Sequence, residues 1–227
     1  MHYLNEVFDK IYCINLNSRP DRWAAMSAQF EQMNLDVQRV EAFDGSDKDN
    51  EQELSMFYGA GAAMLPGEKG VIFTNLAIIV DAMLNRYKSI LVLEDDVVFC
   101  EKSMGAIKMY FDYLPADWDM IWFSGNHNTH VHGTVPPRPI NEYVCRVHNT
   151  FAAHAIGIKS TMFKKILYGL QRYDRGKQLD VFYADLQKQH ECYCFTPDGE
   201  NRPPLVTQAA GYSDIQGKEV DYGWLIK

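Results

Sequence analysis

The stretch Ser89–Cys100, SILVLEDDVVFC, constrains the fold most. Four consecutive aliphatic residues run into three consecutive carboxylates, Glu94, Asp95 and Asp96, before apolar residues resume. Ile90 to Leu93 read as a strand buried on both faces, so the acids fall at its C-terminal end, where open α/β sheets place their ligands. Side chains alternate along a strand, which puts Glu94 and Asp96 on one face and Asp95 on the other. Acids set against such a run are costly unless a cation arrives. Mg²⁺ and Mn²⁺ take carboxylate oxygens and leave positions for phosphate, so the triplet reads as a metal seat for a nucleotide-linked substrate. The alternative is a strand end whose acids point into water or cap the next turn.

Composition narrows the partners. With 227 residues, 47% of them hydrophobic and 13% aromatic, the chain can bury a full core as one domain or two intimate halves. Its 22 basic and 30 acidic residues give a net charge of −8, which disfavours nucleic acid and supplies no basic stripe for an anionic membrane. The opening MHYLNEVFDK lacks the pattern of a secretory signal. The longest apolar stretch, around Val71–Leu84, is interrupted by Thr74, Asn75 and Asp81 and is too short to span a bilayer. A cytoplasmic location is expected, with peripheral membrane association left open. Cys13, Cys100, Cys145, Cys192 and Cys194 show no C-x-x-C spacing and read as buried free thiols.

Along the chain, Lys10–Leu16 predicts a first buried strand, broken at Asn17–Pro20. Ser18 is the expected N-cap of a helix with Pro20 in its first turn and a stripe of Trp23, Met26, Phe30 and Met33. Leu16, Asn17, Arg19 and Arg22 thus surround a strand-to-helix turn suited to an anionic nucleotide, although both arginines would also suit a solvated first turn. Asp36–Ala42 predicts a second strand running into Phe43-Asp44-Gly45, a loop able to stack a base and hold a ribose hydroxyl, or simply a turn. Gly59–Gly70 lacks the spacing of a phosphate loop and reads as a lid or connector. A helix is expected from Gly70 with Ile72, Leu76, Ile79 and Met83 on one face, and another capped by Ser103 and ended by Pro115. Strands follow at Asp119–Ser124, Tyr143–Val147, Phe151–Ile158 and Cys192–Phe195, with a helix opening at Ser160.

This strand–helix alternation implies a mostly parallel sheet flanked by helices. His127, His130 and His132 in Gly125–Pro139 suggest a metal, but no cysteine or acid in the loop completes a tetrahedral set, so a mobile loop over the cleft is expected. Asp180 and Asp185 lie five apart in a helix-like segment and diverge, so one of them faces a cleft, and Asp180 is the better placed. An N-cap role would also explain Asp180. From Pro197 onward the chain reads as a loop-rich tail carrying Gln208, Ser213 and Asp214.

In order, INLNSRPDRW at Ile14–Trp23, EAFDG at Glu41–Gly45, GEKG at Gly67–Gly70, LVLEDDV at Leu91–Val97, QLD at Asp180 and Ser213-Asp214-Ile215 resemble glycosyltransferase family 25, which includes lipooligosaccharide and collagen galactosyltransferases. The resemblance runs over nearly the whole chain. One departure is Thr74-Asn75, where the family usually carries Ser-His. The resemblance implies an α/β, GT-A-type, Rossmann-like single domain and a UDP-galactose or UDP-glucose donor. It also implies Mn²⁺ (or Mg²⁺) at Glu94 and Asp96, and a glycan or hydroxylated side chain as acceptor. Residues 1–124 would serve nucleotide and metal, with Leu16, Asn17, Arg19, Arg22, Phe43, Asp44, Gly45, Glu94 and Asp95 around the donor, and residues 125–227 the acceptor. If transfer inverts the anomeric centre, Asp180 is the expected base. A sugar-binding module without turnover and a metal-dependent nucleotidyltransferase are the competing readings. The lack of a lysine-bearing phosphate loop counts against the second.

Overall fold

The computed structural model describes residues 2–50, 52–54, 64–127, 135–172, 178–198 and 201–221. In chain order the elements are α1 (Leu4–Val7), β1 (Lys10–Asn15), α2 (Pro20–Met33), β2 (Gln38–Glu41), α3 (Pro66–Leu84), β3 (Ser89–Glu94) and β4 (Val97–Phe99). There follow α4 (Glu101–Met104), α5 (Ile107–Asp112), β5 (Met120–Trp122), β6 (Arg138–Pro139), β7 (Val144–Arg146), β8 (Ala155–Lys159) and α6 (Ser160–Arg172). The chain closes with α7 (Leu179–Gln187), β9 (Cys192–Phe195), β10 (Val206–Gln208), β11 (Gly211–Ser213) and β12 (Lys218–Val220).

An 8-stranded sheet in the order β2-β1-β3-β8-β5-β9-β7-β6 organises the molecule. β1 pairs in parallel with β2 and β3, and β5 with β9, whereas β8 lies antiparallel between β3 and β5 and β7 lies antiparallel between β9 and β6. All strands except β7 and β8 therefore share one direction, and the sheet is mixed at those two positions. Because β8 comes from the second half of the chain, the halves interleave in one sheet.

The alternation expected of a doubly buried strand is present. Ile11 and Cys13 of β1 with Leu91 and Leu93 of β3 face a layer that includes Met26 and Phe30 of α2. Tyr12, Ile14, Ile90 and Val92 face the other layer, which holds Ile72 and Ile79 of α3, Phe163 of α6 and Phe182 of α7. Ile90, Leu91, Val92 and Leu93 are each at most 4% exposed, and side chains of this size contribute about 1.5–3 kcal/mol apiece when fully buried. That burial holds β3 in place while its C-terminus delivers carboxylates to a cleft.

Several local expectations differ from the fold. Ser18 does not cap α2: the N-cap is Arg19, with no side-chain cap bond, and Pro20 opens the helix. α3 begins at Pro66 and not at Gly70, since Pro is favoured in a first helical turn and the Glu68 carboxylate accepts from the Leu65 N–H at 2.9 Å. Glycine at position 70 is then a packing requirement, because a Cβ there would be driven into the Phe43 carbonyl. Gly45 similarly leaves room for the Pro66 carbonyl. Ser103 donates to the Pro203 carbonyl at 2.6 Å instead of capping a helix, and the segment it was expected to open is split into α4 and α5. Residues 59–63 of the expected Gly59–Gly70 connector lie outside the described residues, as do His130 and His132, while its last five residues are not a connector but the first turn of α3.

Candidate active site

The C-terminal ends of β1 and β3 open into a cleft of about 350 Å³, walled by the loop after β1, α2, the first turns of α3 and α7, residues 151–153 and the tail. The acidic triplet forms its floor. β3 ends at Glu94, and Asp95 and Asp96 form the turn into β4, with Asp95 directed toward Arg22 of α2 and Glu94 near Asp180 of α7. Asp95 is fully engaged: Arg22 donates to it at 2.8 Å and Asn15 at 2.6 Å. Asn15, 1% exposed, also accepts from Arg39 at 2.9 Å, so it fixes Asp95 from below.

Among the described residues Glu94 and Asp96 have no such ion pair. Burial, then Asp96, Asp95 and Asp180, hold the Glu94 carboxyl well above the usual carboxylate range. Burial likewise pushes Asp96 up to about 6, against the Gln208 hydrogen bond and Arg22, which lower it. Asp96 Oδ2 accepts from Gln208 Nε2 at 3.0 Å, whereas its Oδ1 is buried without a hydrogen-bond partner among the described residues.

Asp180 reaches the same cleft from the first turn of α7, whose N-cap is Gln178. Its carboxylate accepts from the Val181 N–H at 2.8 Å and from the Ala152 N–H, while burial raises its pKa. Ala152 stands at φ 75°, a region that non-glycine residues seldom occupy, and the Trp122 indole donates to its carbonyl at 3.0 Å. Asp185 is absent from this lining and pairs with Lys188 at 2.6 Å. Gln178 donates to Glu68 at 2.5 Å, joining the first turns of α7 and α3 across the mouth.

A second cavity of about 550 Å³ shares Leu16 and Ala42 with the first and gathers Asn17, Phe43, Asp44 and Phe73. Phe43 packs on Phe73 with ring centroids 4.5 Å apart, and Asp44 accepts from the Ser46 N–H at 2.9 Å as in an Asx turn. Gly45 is not in either lining; its place is the close approach to α3. Thr74 accepts from the Phe43 N–H at 2.9 Å, and Asn75 accepts from Tyr183 at 3.3 Å, so this dipeptide braces the walls from behind. Arg19, expected around the donor, lines neither cavity and is bonded to Asp21 at 2.9 Å and Asp214 at 2.7 Å. His127 bonds Thr150 at 2.8 Å, and burial lowers its pKa to about 4.

Three kinds of residue escaped the reading of the sequence. Asn15 and Gln178 lie inside INLNSRPDRW and QLD but have no role there, and Ala152 reads only as part of a strand. Glu68 was visible in GEKG, and Gln208 and Asp214 in the tail, but without a role. The tail crosses the cleft because β10 pairs with β4, which places Gln208 beside Val97.

A cation fits these acids. Among the described residues no three His, Cys, Asp or Glu side chains converge into a ready-made metal cluster. Mg²⁺-like ions, however, are commonly held by one or two carboxylates plus substrate phosphates, and the unpartnered Asp96 Oδ1 beside Glu94 offers that set. Among the described residues no helix is long and apolar enough to cross a membrane.

The sequence profile described as "Glycosyltransferase family 25 (LPS biosynthesis protein)" matches residues 8–165. A Drosophila pseudoobscura pseudoobscura protein named "Glycosyltransferase 25 family member" is 34% identical over 100 residues, which are 40% of this chain and 16% of that protein. A human protein, "Inactive glycosyltransferase 25 family member 3", is 27% identical over 127 residues, 51% of this chain and 21% of its own length. The chain thus spans less than a quarter of these curated relatives. The solved structure of A197 from STIV covers 93% of this chain and 92% of its own at 9% identity, with a TM-score of 0.44. With the β1 turn, the acidic strand end and the α3 entry all inside the matched segment, the chain belongs to glycosyltransferase family 25.

Proposed function

We propose that the protein transfers a hexose, galactose or glucose, from a UDP-sugar to a hydroxyl of a glycan or hydroxylated side chain, with a divalent cation, Mn²⁺ or Mg²⁺, and inversion at the anomeric carbon. One observation carries this reading. The described lining of the cleft contains Glu68, Glu94, Asp95, Asp96, Asp180 and Asp214 against a single cationic side chain, Arg22. A diphosphate meets like charges there, and Coulomb repulsion at contact distances amounts to about 1–4 kcal/mol per pair in water-like to intermediate dielectric. Held by Glu94 and Asp96, the cation would neutralise the diphosphate as the sugar–oxygen bond breaks.

The chain's own groups do the rest. Asp95, locked by Arg22 and Asn15, keeps that guanidinium at the cleft floor. The second cavity, with Asn17, Phe43 and Asp44 on its walls, takes the nucleoside, and its junction with the first at Leu16 and Ala42 lets the phosphates reach the acids. Asp180, carboxylate raised by burial and aimed by two backbone N–H groups, takes the proton of the acceptor hydroxyl as that oxygen attacks.

A second reading, donor binding without turnover, is favoured by the name of the human relative. A panel of UDP-sugars with Mn²⁺, monitored for UDP release and for binding, separates the two. UDP release with one sugar supports transfer; tight binding with no release under any acceptor supports the second reading. Absence of both would contradict each.

A further inference from the structure

The two arginines at the start of α2, Arg19 at its N-cap and Arg22 in its first turn, are the groups suited to take a donor phosphate and are already occupied by another part of the chain. Arg19 Nη1 donates to Asp214 at 2.7 Å and Arg22 Nη2 donates to the Tyr212 carbonyl at 2.7 Å. Both partners belong to the hairpin β11–β12, which pairs with itself in a separate 2-stranded sheet. A two-stranded hairpin is marginal by itself, so its position depends on such contacts with the body. Its tip also rests on the first turn of α3, where a Cβ on Gly67 would lie 2.8 Å from Ile215 Cα.

One glycine stands at the base of the hairpin, where Gly211 pairs with Val220, and another at its tip, where Gly217 precedes β12. Gly211 stands at φ 155° and Gly217 at φ 65°, both unfavourable for side-chain-bearing residues. A Cβ at Gly211 would meet nothing within 4 Å and one at Gly217 only the Tyr212 hydroxyl at 3.8 Å, so the backbone angle, not space, calls for glycine. Asp214 lines the cleft while Arg19 does not, which makes the carboxylate the group standing between that arginine and the cavity.

We infer that Asp214 is an internal stand-in for the donor's phosphate at Arg19, and that the Gly211–Gly217 hairpin must leave the arginines for an anionic nucleotide to be seated. This rests on the nucleotide reading above. The hairpin would then act as a donor-displaced latch: closed, it satisfies Arg19 and Nη2 of Arg22; displaced, it adds Arg19 to Arg22, which already lines the cleft, as a guanidinium open to the diphosphate.

The test pairs calorimetry of UDP in Mn²⁺ with hydrogen exchange of the hairpin, in the wild-type chain and in Asp214→Asn and Asp21→Asn. Asp21 is the control, since it removes the same charge beside the same guanidinium from α2 itself. The expected result is UDP binding about two- to fivefold tighter in Asp214→Asn, the scale of a partly exposed ion pair, with a smaller gain in Asp21→Asn. UDP should also speed exchange at Gly217, whose N–H is bonded to the Ser213 carbonyl at 2.7 Å, in the wild type. Equal gains in both variants, weaker or unchanged binding in Asp214→Asn, or protection of Gly217 by UDP would overturn the latch while leaving nucleotide binding intact. No UDP binding in any of the three proteins would overturn the nucleotide reading and the latch with it.

Discussion

Asp96→Asn should stabilise the protein without cation and abolish its response to one. In the folded chain burial raises the Asp96 carboxyl from 3.8 to about 6. The folded state therefore holds that proton more tightly than the unfolded chain does. The penalty is absent below about pH 4 and fully developed above about pH 6–7, so stability falls as pH rises through this window. At 1.36 kcal/mol per unit the cost is at most about 3 kcal/mol. Because the carboxylate keeps some contact with the open cleft, about 1–3 kcal/mol is expected. Asparagine keeps an oxygen for Gln208 and removes the charge. For a chain of this size the gain corresponds to roughly 2–10 °C in melting temperature at pH 8 in EDTA. Mn²⁺ should raise the melting temperature of the wild type and leave the variant nearly unchanged, reversing or closing the gap. Scanning fluorimetry at pH 4 and pH 8, with EDTA or Mn²⁺, measures all of this. An Asp96→Asn protein less stable than wild type in EDTA at pH 8 would refute the argument that this carboxylate is held against its own solvation.

Other outcomes follow from the same geometry. Arg22→Ala removes the partner of Asp95 at 2.8 Å and the cleft's described cation, so UDP affinity in Mn²⁺ should fall about tenfold or more; unchanged affinity would make Arg22 a structural tie only. Asp180→Asn should cut transfer by ~10²–10⁴-fold with UDP–Mn²⁺ affinity kept, and normal transfer in steady-state assays would remove it from the mechanism. In the wild type the acid limb of the transfer rate should lie above the ordinary carboxylate range, since burial raises Asp180 and the basic form is needed; a limb near pH 4 would contradict this. Gly70→Ala would push a methyl into the Phe43 carbonyl and should cost about 1–3 kcal/mol and weaken UDP binding by moving the Phe43 loop; an unchanged melting curve would show that the loop yields freely.

What could be read from the sequence was what short-range pattern encodes. Ile90–Leu93 announced a strand buried on both faces, and all four are at most 4% exposed, but the expected alternation stops at Glu94 because Asp95 and Asp96 form the turn into β4 and all three acids line one cleft. The stripe of Met26 and Phe30 and the divergence of Asp180 from Asp185 follow from helical geometry, and Asp180, at the start of its segment, is the one that lines the cleft. The rest depends on contacts between distant residues. Ser103 looks like a cap until the Pro203 carbonyl is brought beside it. β8 looks like one more parallel strand, yet it enters antiparallel between β3 and β5. The tail carried no periodicity at all, but Arg19 meets Asp214 and Asp96 meets Gln208 across it. Gly70 was read as a helix start because its need for closeness to Phe43 is a property of two segments, not of one.

The central claim is that Glu94 and Asp96 seat a cation without which a nucleoside diphosphate is repelled. Titration of the wild-type chain with UDP by calorimetry, once in EDTA and once in Mn²⁺, tests it most directly. The account predicts binding at least about tenfold tighter in Mn²⁺, with that gain lost in Asp96→Asn. Equal affinity for UDP in EDTA and Mn²⁺ would contradict it.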